Sequence, residues 1–368
     1  MLTRRENYTR ILTRGNGDRL PFVPNFDYWY RVNRANGRIP EAYAGLSRND
    51  LVRAVGATLW VRTNVLEPVL DPTVEVTERD DGRRRRTEYR TPVGTVSTLH
   101  EYADDSARTC YLMEHRIKRA EDIPVVKYLF EHTSLKADFT SFLESEAEVG
   151  EDGISLVGLP FCFPYIHFAK QEAGYQAGIY LYADYPELVE ELMEVIARVN
   201  LAGAELLASG PALVVQQGDN MDEWTTPPNL FKRLAVPYFR RVAEILHRAG
   251  KIYQGHWCGR TEHLLPLVPG SGLDVIEAVS VAPMARLTIP EALEAVGPEV
   301  VIQGGVPSVL MCPQGGDRRD LAAYIKDLLP RVPHGNLFAL GMSDNVPSDA
   351  DFDRVKIVAD LVNNYRPA

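Results

Sequence analysis

The chain has 368 residues, of which 45% are hydrophobic and 24% are charged, a composition typical of globular proteins. Its net charge of −10, from 40 basic and 50 acidic residues, disfavours nonspecific binding to nucleic acid, which requires Lys and Arg to neutralise phosphates. The N-terminus is polar, no stretch approaches the roughly 20 apolar residues of a membrane helix, and the four cysteines are widely spaced. We therefore expect a cytoplasmic protein whose partners include neither nucleic acid nor a membrane.

The first third of the chain has an irregular pattern. Residues 22–26 are a candidate for the first strand of a barrel. Residues 74–98 are typical of an antiparallel hairpin, with its turn at Asp80-Asp81-Gly82. The basic run Arg83-Arg84-Arg85-Arg86 follows this turn, and we interpret it as a solvated hairpin tip rather than a binding patch.

From about residue 154 onward, strand-like and helix-like segments alternate, which predicts a parallel sheet with crossover helices. One helix is predicted over residues 186–209, from apolar residues near helical spacing. Another is predicted from Thr226, as N-cap, to Gly250, with a kink at Pro237. The predicted strands are residues 154–159, 212–217, 251–255, 273–279, 300–303 and 336–340.

Six clear repeats and two ambiguous ones favour an α/β fold in which residues 1–368 form a single domain. The predicted architecture is a (β/α)8 TIM barrel with an N-terminal β-hairpin excursion. A doubly wound open sheet is the competing fold, but the sequence lacks the Gly-rich phosphate loop that such a sheet carries after its first strand. Catalytic groups of a barrel lie at the carboxyl ends of its strands, so reactive side chains there are the site candidates.

A histidine and a cysteine follow the strand predicted at 251–255. In an extended chain residues i and i+2 point the same way, so His256 and Cys258 can converge on one point. Nitrogen and sulfur ligands suit Zn2+, and a catalytic zinc site needs about three protein ligands. Glu277 ends the next apolar strand, where a carboxylate is costly to bury unless it is ion-paired or bound to a metal. We predict these three residues as zinc ligands, with a structural role for each as the alternative.

Two further acids lie just beyond strand ends. Asp219 follows the strand at 212–217 and Asp344 follows the last strand, so both are candidate catalytic residues and general bases. Each is also a candidate for a further metal ligand. Cys312 lies several residues into its loop and reaches the barrel mouth only if that loop folds back. The sequence leaves open whether Asp219, Asp344 or Cys312 completes the metal site.

Aromatic side chains supply the candidates for a substrate pocket. Tyr28 and Trp29 lie beyond the first predicted strand, and Phe161 and Phe163 lie in the loop after residues 154–159. Such rings suit the wall of a site for a flat or apolar small molecule. Packing in a lid or in the core is the alternative.

Several segments, in order along about fifty residues, resemble the uroporphyrinogen-decarboxylase-like superfamily. They are residues 226–231, 236–239, 249–251, 256–259 and 272–277, with 304–308 and 344–347 extending the resemblance. The resemblance implies a (β/α)8 barrel. The superfamily contains the heme-pathway decarboxylase and the zinc-dependent methyltransferases that serve corrinoid proteins and coenzyme M.

The chain departs from the decarboxylase pattern at its N-terminus. The decarboxylase carries an Arg-rich segment that holds the porphyrin carboxylates, whereas residues 21–30 here contain aromatic residues and no arginine. A tetra-anionic porphyrinogen needs several fixed cations. This difference argues against true uroporphyrinogen decarboxylation.

The chain also departs from the methyltransferase pattern, in which His-x-Cys and a second Cys near the last strand bind zinc. His256 and Cys258 match the first part, but Met342-Ser343-Asp344 stands where the second Cys is expected. A carboxylate must then replace that thiolate, and the candidates are the three acids named above.

We therefore expect a zinc-dependent methyltransferase-like enzyme that acts on a methylated small molecule or a methyl-corrinoid protein. The first alternative is a metal-free decarboxylase, in which Asp219 holds a carbanionic intermediate. The second is a barrel that binds a ligand without catalysis. The substrate is expected to be a small molecule, and a homodimer is the default expectation for the oligomeric state.

Overall fold

The computed structural model describes residues 1–103 and 108–366. These residues pack as two compact units, each described here by itself. The first unit comprises Met1–Val65, Phe139–Gly158 and Gly210–Ala368, and the second comprises Leu66–Asp138 and Leu159–Ser209. The assignment of residues 1–368 to a single domain stays a prediction.

The strands of the described residues form a barrel sheet and two smaller sheets. In chain order they are β1 (Phe22–Val23), β2 (Leu59–Thr63), β3 (Leu66–Leu70), β4 (Glu75–Asp80), β5 (Arg84–Thr91), β6 (Gly94–Tyr102), β7 (Cys110–Glu114), β8 (Thr133–Ala137), β9 (Gly153–Gly158), β10 (Val214–Gln217), β11 (Ile252–His256), β12 (Val275–Val279), β13 (Val301–Val306) and β14 (Phe338–Met342).

The first unit is built on eight parallel strands among the described residues. Their order is β1-β14-β13-β12-β11-β10-β9-β2. The strands from β9 to β14 therefore pair in the order in which they occur along the chain. The Thr58 N–H donates to the Phe22 carbonyl at 2.8 Å and links the two ends of this sheet. The predicted (β/α)8 barrel is confirmed, in a nearly closed form.

The six strands predicted after residue 154 are all present, with small shifts at their ends. The first strand ends at Val23 rather than at residue 26. The second barrel strand, β2, had no predicted bounds, because Arg62 and Thr63 interrupt its apolar pattern near the end.

Helices lie between the strands along the chain. They are α1 (Arg4–Leu12), α2 (Asp27–Ala35), α3 (Arg48–Ala54), α4 (Ile123–Glu131), α5 (Thr140–Val149), α6 (Pro164–Ile166), α7 (Tyr175–Asp184), α8 (Pro186–Ala208), α9 (Pro228–Leu230), α10 (Val236–Arg248), α11 (Ile289–Val296), α12 (Arg318–Leu328) and α13 (Phe352–Asn364). The described part of the chain also has π-helical segments at His167–Glu172 and Phe231–Ala235. Across the described residues no helix combines the length and apolar character needed to cross a membrane.

The helix predicted from Thr226 to Gly250 is interrupted. The N-cap prediction was wrong, because α9 begins after Pro227 and the buried Thr226 hydroxyl has no hydrogen-bond partner among the residues that the structure describes. The irregularity expected at Pro237 takes the form of the π-helical segment Phe231–Ala235, which directly precedes α10. Proline lacks an N–H, so a carbonyl one turn earlier loses its partner and the turn widens.

The predicted N-terminal excursion is present in the second unit and is larger than a hairpin. Strands β4 to β7 form an antiparallel sheet that continues beyond residue 98. The turn at Gly82, with φ of +85°, joins β4 to β5 as expected. Arg84 and Arg86 lie within β5, where they form ion pairs with Glu101 and Glu114. The basic run is therefore mostly a solvated, ion-paired strand rather than a hairpin tip.

Helix α1 packs into the barrel core at the amino ends of the strands. Its buried Tyr8, Ile11 and Leu12 form one cluster with the first residues of β10 to β13 and with Trp60. Two residues further along β2, β10, β11, β12 and β13, the inward positions become polar. This inner polar layer consists of Arg62, Gln216, Gln254, Glu277 and Gln303. It separates the apolar core from the carboxyl ends of the strands.

Candidate metal centre

Three side chains converge at the carboxyl ends of two barrel strands. His256 is the last residue of β11, Cys258 lies two residues later, and Asp344 lies two residues beyond β14. One ligand atom from each lies within 4.8 Å of the others, and this is the one such group of His, Cys or acidic residues within the described ranges. His256 Nε2 lies 3.6 Å from Asp344 Oδ1. The arrangement brings one nitrogen, one sulfur and one oxygen donor to a common point.

Hydrogen bonds from neighbouring loops fix the positions of these residues. The Ser280 hydroxyl lies 2.7 Å from the Cys258 carbonyl oxygen and 3.1 Å from that of Ser343, so it ties the two ligand-bearing loops together. The Asn220 amide donates to Cys258 Sγ at 3.2 Å, and its backbone N–H donates to the His256 carbonyl at 3.0 Å. Asn220 has φ of +51°, a left-handed conformation that asparagine tolerates better than most residues.

Glu277 lies behind the His256 ring. The two residues are register partners on β11 and β12, and Glu277 Oε2 lies 2.6 Å from His256 Nδ1. The Glu277 side chain is only 3% exposed. A carboxylate at one ring nitrogen fixes the orientation of a metal-binding histidine and leaves the other nitrogen, here Nε2, free to bind. The role of Glu277 as a direct ligand stays a prediction.

The charge of His256 is set by the same contacts. Burial alone lowers its pKa, but the Glu277 carboxylate and the hydrogen bonds with Cys258 and Glu277 outweigh burial and raise the pKa well above the ordinary value. The Glu277 carboxylate favours the protonated form of the His256 ring. Once the ring has lost its proton, the same carboxylate makes Nε2 a more basic metal ligand.

The inner polar layer holds Glu277 in turn. Gln216 Nε2 donates to Glu277 Oε2 at 3.1 Å and lies 3.4 Å from Gln254 Oε1. Arg62 Nη1 donates to Gln216 Oε1 at 3.4 Å. We did not predict these residues. The sequence did contain a signal for them, because glutamine occurs at inward-facing positions of otherwise apolar strands. A buried amide needs polar partners, so these glutamines indicate a polar network inside the barrel.

Strand β12 bulges where it reaches the centre. Its register with β13 shifts between Ile276 and Val279, and Ala278 takes φ of +69°. An alanine in this left-handed region is strained, and bulges beside active sites commonly re-aim a side chain. Here the bulge immediately follows Glu277.

Comparison with known families gives this geometry a context. The model of the family described as "Uroporphyrinogen decarboxylase (URO-D)" matches residues 136–365, which is more than half of the chain. The chain belongs to the uroporphyrinogen decarboxylase family. The matched range contains all four residues of the centre and its support, namely His256, Cys258, Glu277 and Asp344.

One of the similar solved structures shares the barrel fold. A methyltransferase from Methanosarcina mazei aligns over 99% of this chain and 99% of its own, with a TM-score of 0.61 and 15% identity. The GH20 catalytic modules of the pneumococcal exo-β-D-N-acetylglucosaminidase StrH align over 98% of this chain and 87% of theirs, with a TM-score of 0.44 and 10% identity. The similarity to the methyltransferase structure shows that the two chains share a fold, and it does not extend to function. The comparison with curated proteins gives no significant match.

Asp219 lies two residues beyond the end of β10, the strand that neighbours β11 in the barrel sheet. It is fully buried, and among the described residues the group that can hold a metal does not include it. Burial first, then the charges of Tyr238 and Asp219, raise the pKa of Tyr253 well above its ordinary value. The catalytic role of Asp219 stays a prediction, as does that of Asp344.

Cys312 does not complete the centre. Its thiol donates to Asp349 Oδ1 at 3.3 Å. Burial, together with the hydrogen bond and charge of Asp349, raises the pKa of Cys312 to about 12. A thiol held protonated in this way is a poor metal ligand, because metals bind the thiolate. Of the three open candidates, Asp344 is the one within the described group.

The four aromatic pocket candidates have different surroundings. Trp29 is buried, stacks on Phe352 with ring centroids 5.4 Å apart, and donates its indole N–H to the Ala350 carbonyl. Tyr28 lies under the Arg31 guanidinium. The other two belong to the second unit, where Phe163 is buried and the half-buried Phe161 contacts the His167 ring. Their role in a substrate pocket stays a prediction.

Replacing Glu277 with Gln is expected to weaken zinc binding by about 10- to 100-fold, the usual effect of removing a carboxylate that supports a histidine ligand. The amide keeps the size but loses the charge that makes His256 Nε2 basic. Competition with a chromophoric chelator measures the affinity. The matched control is Glu223→Gln, since Glu223 also contacts a histidine, His263, at 3.1 Å. Unchanged affinity in Glu277→Gln would contradict this role.

Proposed function

We propose that the protein is a zinc-dependent methyltransferase-like enzyme, which moves a methyl group from a methylated small molecule or a methyl-corrinoid protein to a thiol. Family membership supports an enzyme of the methyltransferase-like or decarboxylase-like kind. The observation that carries the finer proposal is the convergence of His256, Cys258 and Asp344, in which His256 Nε2 lies 3.6 Å from Asp344 Oδ1.

The donor set fits zinc. Nitrogen, sulfur and carboxylate oxygen are the three donor types that Zn2+ takes in proteins, and three protein ligands leave a position for a substrate. Glu277 occupies His256 Nδ1, so Nε2 is the nitrogen available to the metal. Asp344, with a side chain 41% exposed, stands where the methyltransferase pattern has its second cysteine. His256, Cys258 and Asp344 would thus hold the ion.

The residues of the chain have separable tasks in this proposal. Bound zinc would supply Lewis acidity, which lowers the pKa of a substrate thiol so that the thiolate is available as the nucleophile. Glu277 keeps the imidazole ring oriented, and Ser280 keeps the Cys258 and Asp344 loops in register. The Asn220 amide donates to Cys258 Sγ and so stabilises negative charge on that sulfur. The inner polar layer forms a floor beneath these groups.

The decarboxylase alternative has less support from the residues. Removing carboxyl groups from a porphyrinogen requires several fixed cations around its carboxylates. Residues 21–30 contain no arginine, and the exposed Arg62 contributes one cation to the inner polar layer.

Incubation with methylcobalamin and 2-mercaptoethanol tests the proposed function. The thiolate sulfur attacks the methyl carbon, the carbon–cobalt bond breaks, its electron pair stays on cobalt as cob(I)alamin, and the thiol proton passes to water. We expect zinc-dependent loss of methylcobalamin absorbance under anaerobic conditions, with the methyl thioether as product. A parallel incubation with uroporphyrinogen is expected to leave that compound unchanged. Coproporphyrinogen formation without methyl transfer would overturn the proposal.

A further inference from the structure

A cavity of about 380 Å3 lies wholly within the second unit. Its walls come from β5, β6 and β7 and from the segment that contains the π-helical residues His167–Glu172. No residue of the candidate metal centre contributes to its described lining. The volume is within the roughly 300–1,000 Å3 range of small-molecule sites.

Three residues that line this cavity each carry a buried polar atom without a partner among the described residues. Thr98 Oγ1 and His167 Nδ1 have no hydrogen-bond partner among the described residues, and each residue is only 7% exposed. His100 also lines the cavity, and its buried Nδ1 likewise has no hydrogen-bond partner among the described residues. Because buried polar side chains are nearly always hydrogen-bonded, three such atoms around one cavity point to a polar ligand.

The charged residues of the cavity neutralise each other. Arg116 donates to both carboxylate oxygens of Glu172, at 2.7 and 2.5 Å. His167 Nε2 lies 3.1 Å from Glu172 Oε1, so its N–H donates to this carboxylate and Nδ1 is left as an acceptor. The paired charges give no preference for an anionic or a cationic ligand.

Aromatic rings complete the lining. The Phe161 ring lies 4.8 Å from the ring of His167, and Tyr89 lies under the Arg116 guanidinium at 5.3 Å. Such surfaces pack well against the C–H face of a saturated ring.

We propose that this cavity binds a neutral polyhydroxylated molecule of monosaccharide size. A hydroxyl group both donates and accepts hydrogen bonds, so it satisfies Thr98 Oγ1, His167 Nδ1 and either tautomer of His100. The proposed ligand is uncharged, in keeping with the mutually neutralised charges of Arg116 and Glu172. Its ring can pack against Phe161 and Tyr89.

Saturation-transfer NMR on the full chain tests this site, with D-glucose and myo-inositol as neutral probes and acetate as the anionic probe. We expect saturation transfer to the neutral probes and none to acetate. Thr98→Val should weaken binding by about 2- to 10-fold, the effect of losing one hydrogen bond of ordinary strength. The variant should retain the wild-type Tm, since it replaces an unpartnered hydroxyl with a methyl group.

Thr87→Val is the matched control. Thr87 is the register partner of Thr98, is equally buried at 7%, and its hydroxyl donates to Glu78 rather than lining the cavity. It should bind the probes as the wild type does. Absence of saturation transfer to both neutral probes, or unchanged binding in Thr98→Val, would overturn the proposal. Loss of binding in His256→Ala would place the probes at the metal centre and would overturn it as well.

Discussion

Replacing His256 with Ala is expected to reduce the zinc content of the purified protein from about one ion per chain to below about 0.2, and to abolish thiol methylation with it. His256 supplies the single nitrogen donor of the group, and its Nε2 lies 3.6 Å from the Asp344 carboxylate. The two donors that remain in the group are too few for a catalytic zinc site. Elemental analysis after gel filtration gives the stoichiometry.

The control for this variant is His263→Ala. His263 is also a histidine in the first unit and contacts a glutamate, but it is exposed and lies outside the candidate group of His256, Cys258 and Asp344. It should retain both zinc and activity. Equal zinc content in His256→Ala and the wild type would show that the ion, if present, is bound elsewhere.

The second large effect concerns stability. Replacing Arg116 with Met is expected to lower the free energy of unfolding by about 3–5 kcal/mol, because it leaves the buried Glu172 carboxylate without its counter-charge. Glu172 is fully buried and accepts both hydrogen bonds of the Arg116 fork. Urea denaturation at neutral pH measures the loss. The double variant Arg116→Met/Glu172→Gln should regain most of it, since both charges are then removed.

The pH dependence of the same pair follows from the pKa of Glu172. Burial alone would raise this pKa, but Arg116 and His167 outweigh burial and lower it from 4.5 to about 2. A depressed carboxyl pKa stabilises the fold above the unfolded value and loses that contribution as pH falls from about 4.5 to about 2. The difference in the free energy of unfolding between the wild type and Arg116→Met should therefore become smaller as the pH falls over this range. If this difference in unfolding free energy stays constant with pH, the loss of the Arg116–Glu172 ion pair is not the cause of the destabilisation.

Local patterns in the sequence were sufficient to predict the last six barrel strands and the convergence of two residues of the candidate centre. Short apolar runs alternating with helical periodicity predict parallel strands, and an i, i+2 spacing at a strand end brings His256 and Cys258 to one side. Both inferences use neighbours in the chain. The excursion was also predicted from its turn at Gly82, although its extent was not.

Features set by distant residues were not predictable from these patterns. Which carboxylate lies near His256 depends on how the loops after β11 and β14 approach, and Glu277 lies behind the ring because of the register between β11 and β12. The Arg116–Glu172 pair joins residues 56 apart in the chain. Sequence spacing alone carries no information on such contacts.

X-ray absorption at the zinc edge, on the purified full-length protein, tests the central claim most directly. We expect one sulfur scatterer at about 2.3 Å and nitrogen or oxygen scatterers at about 2.0–2.2 Å, with the sulfur lost in Cys258→Ser. A spectrum without sulfur in the wild type, or one unchanged in Cys258→Ser, would contradict a zinc centre built on His256, Cys258 and Asp344.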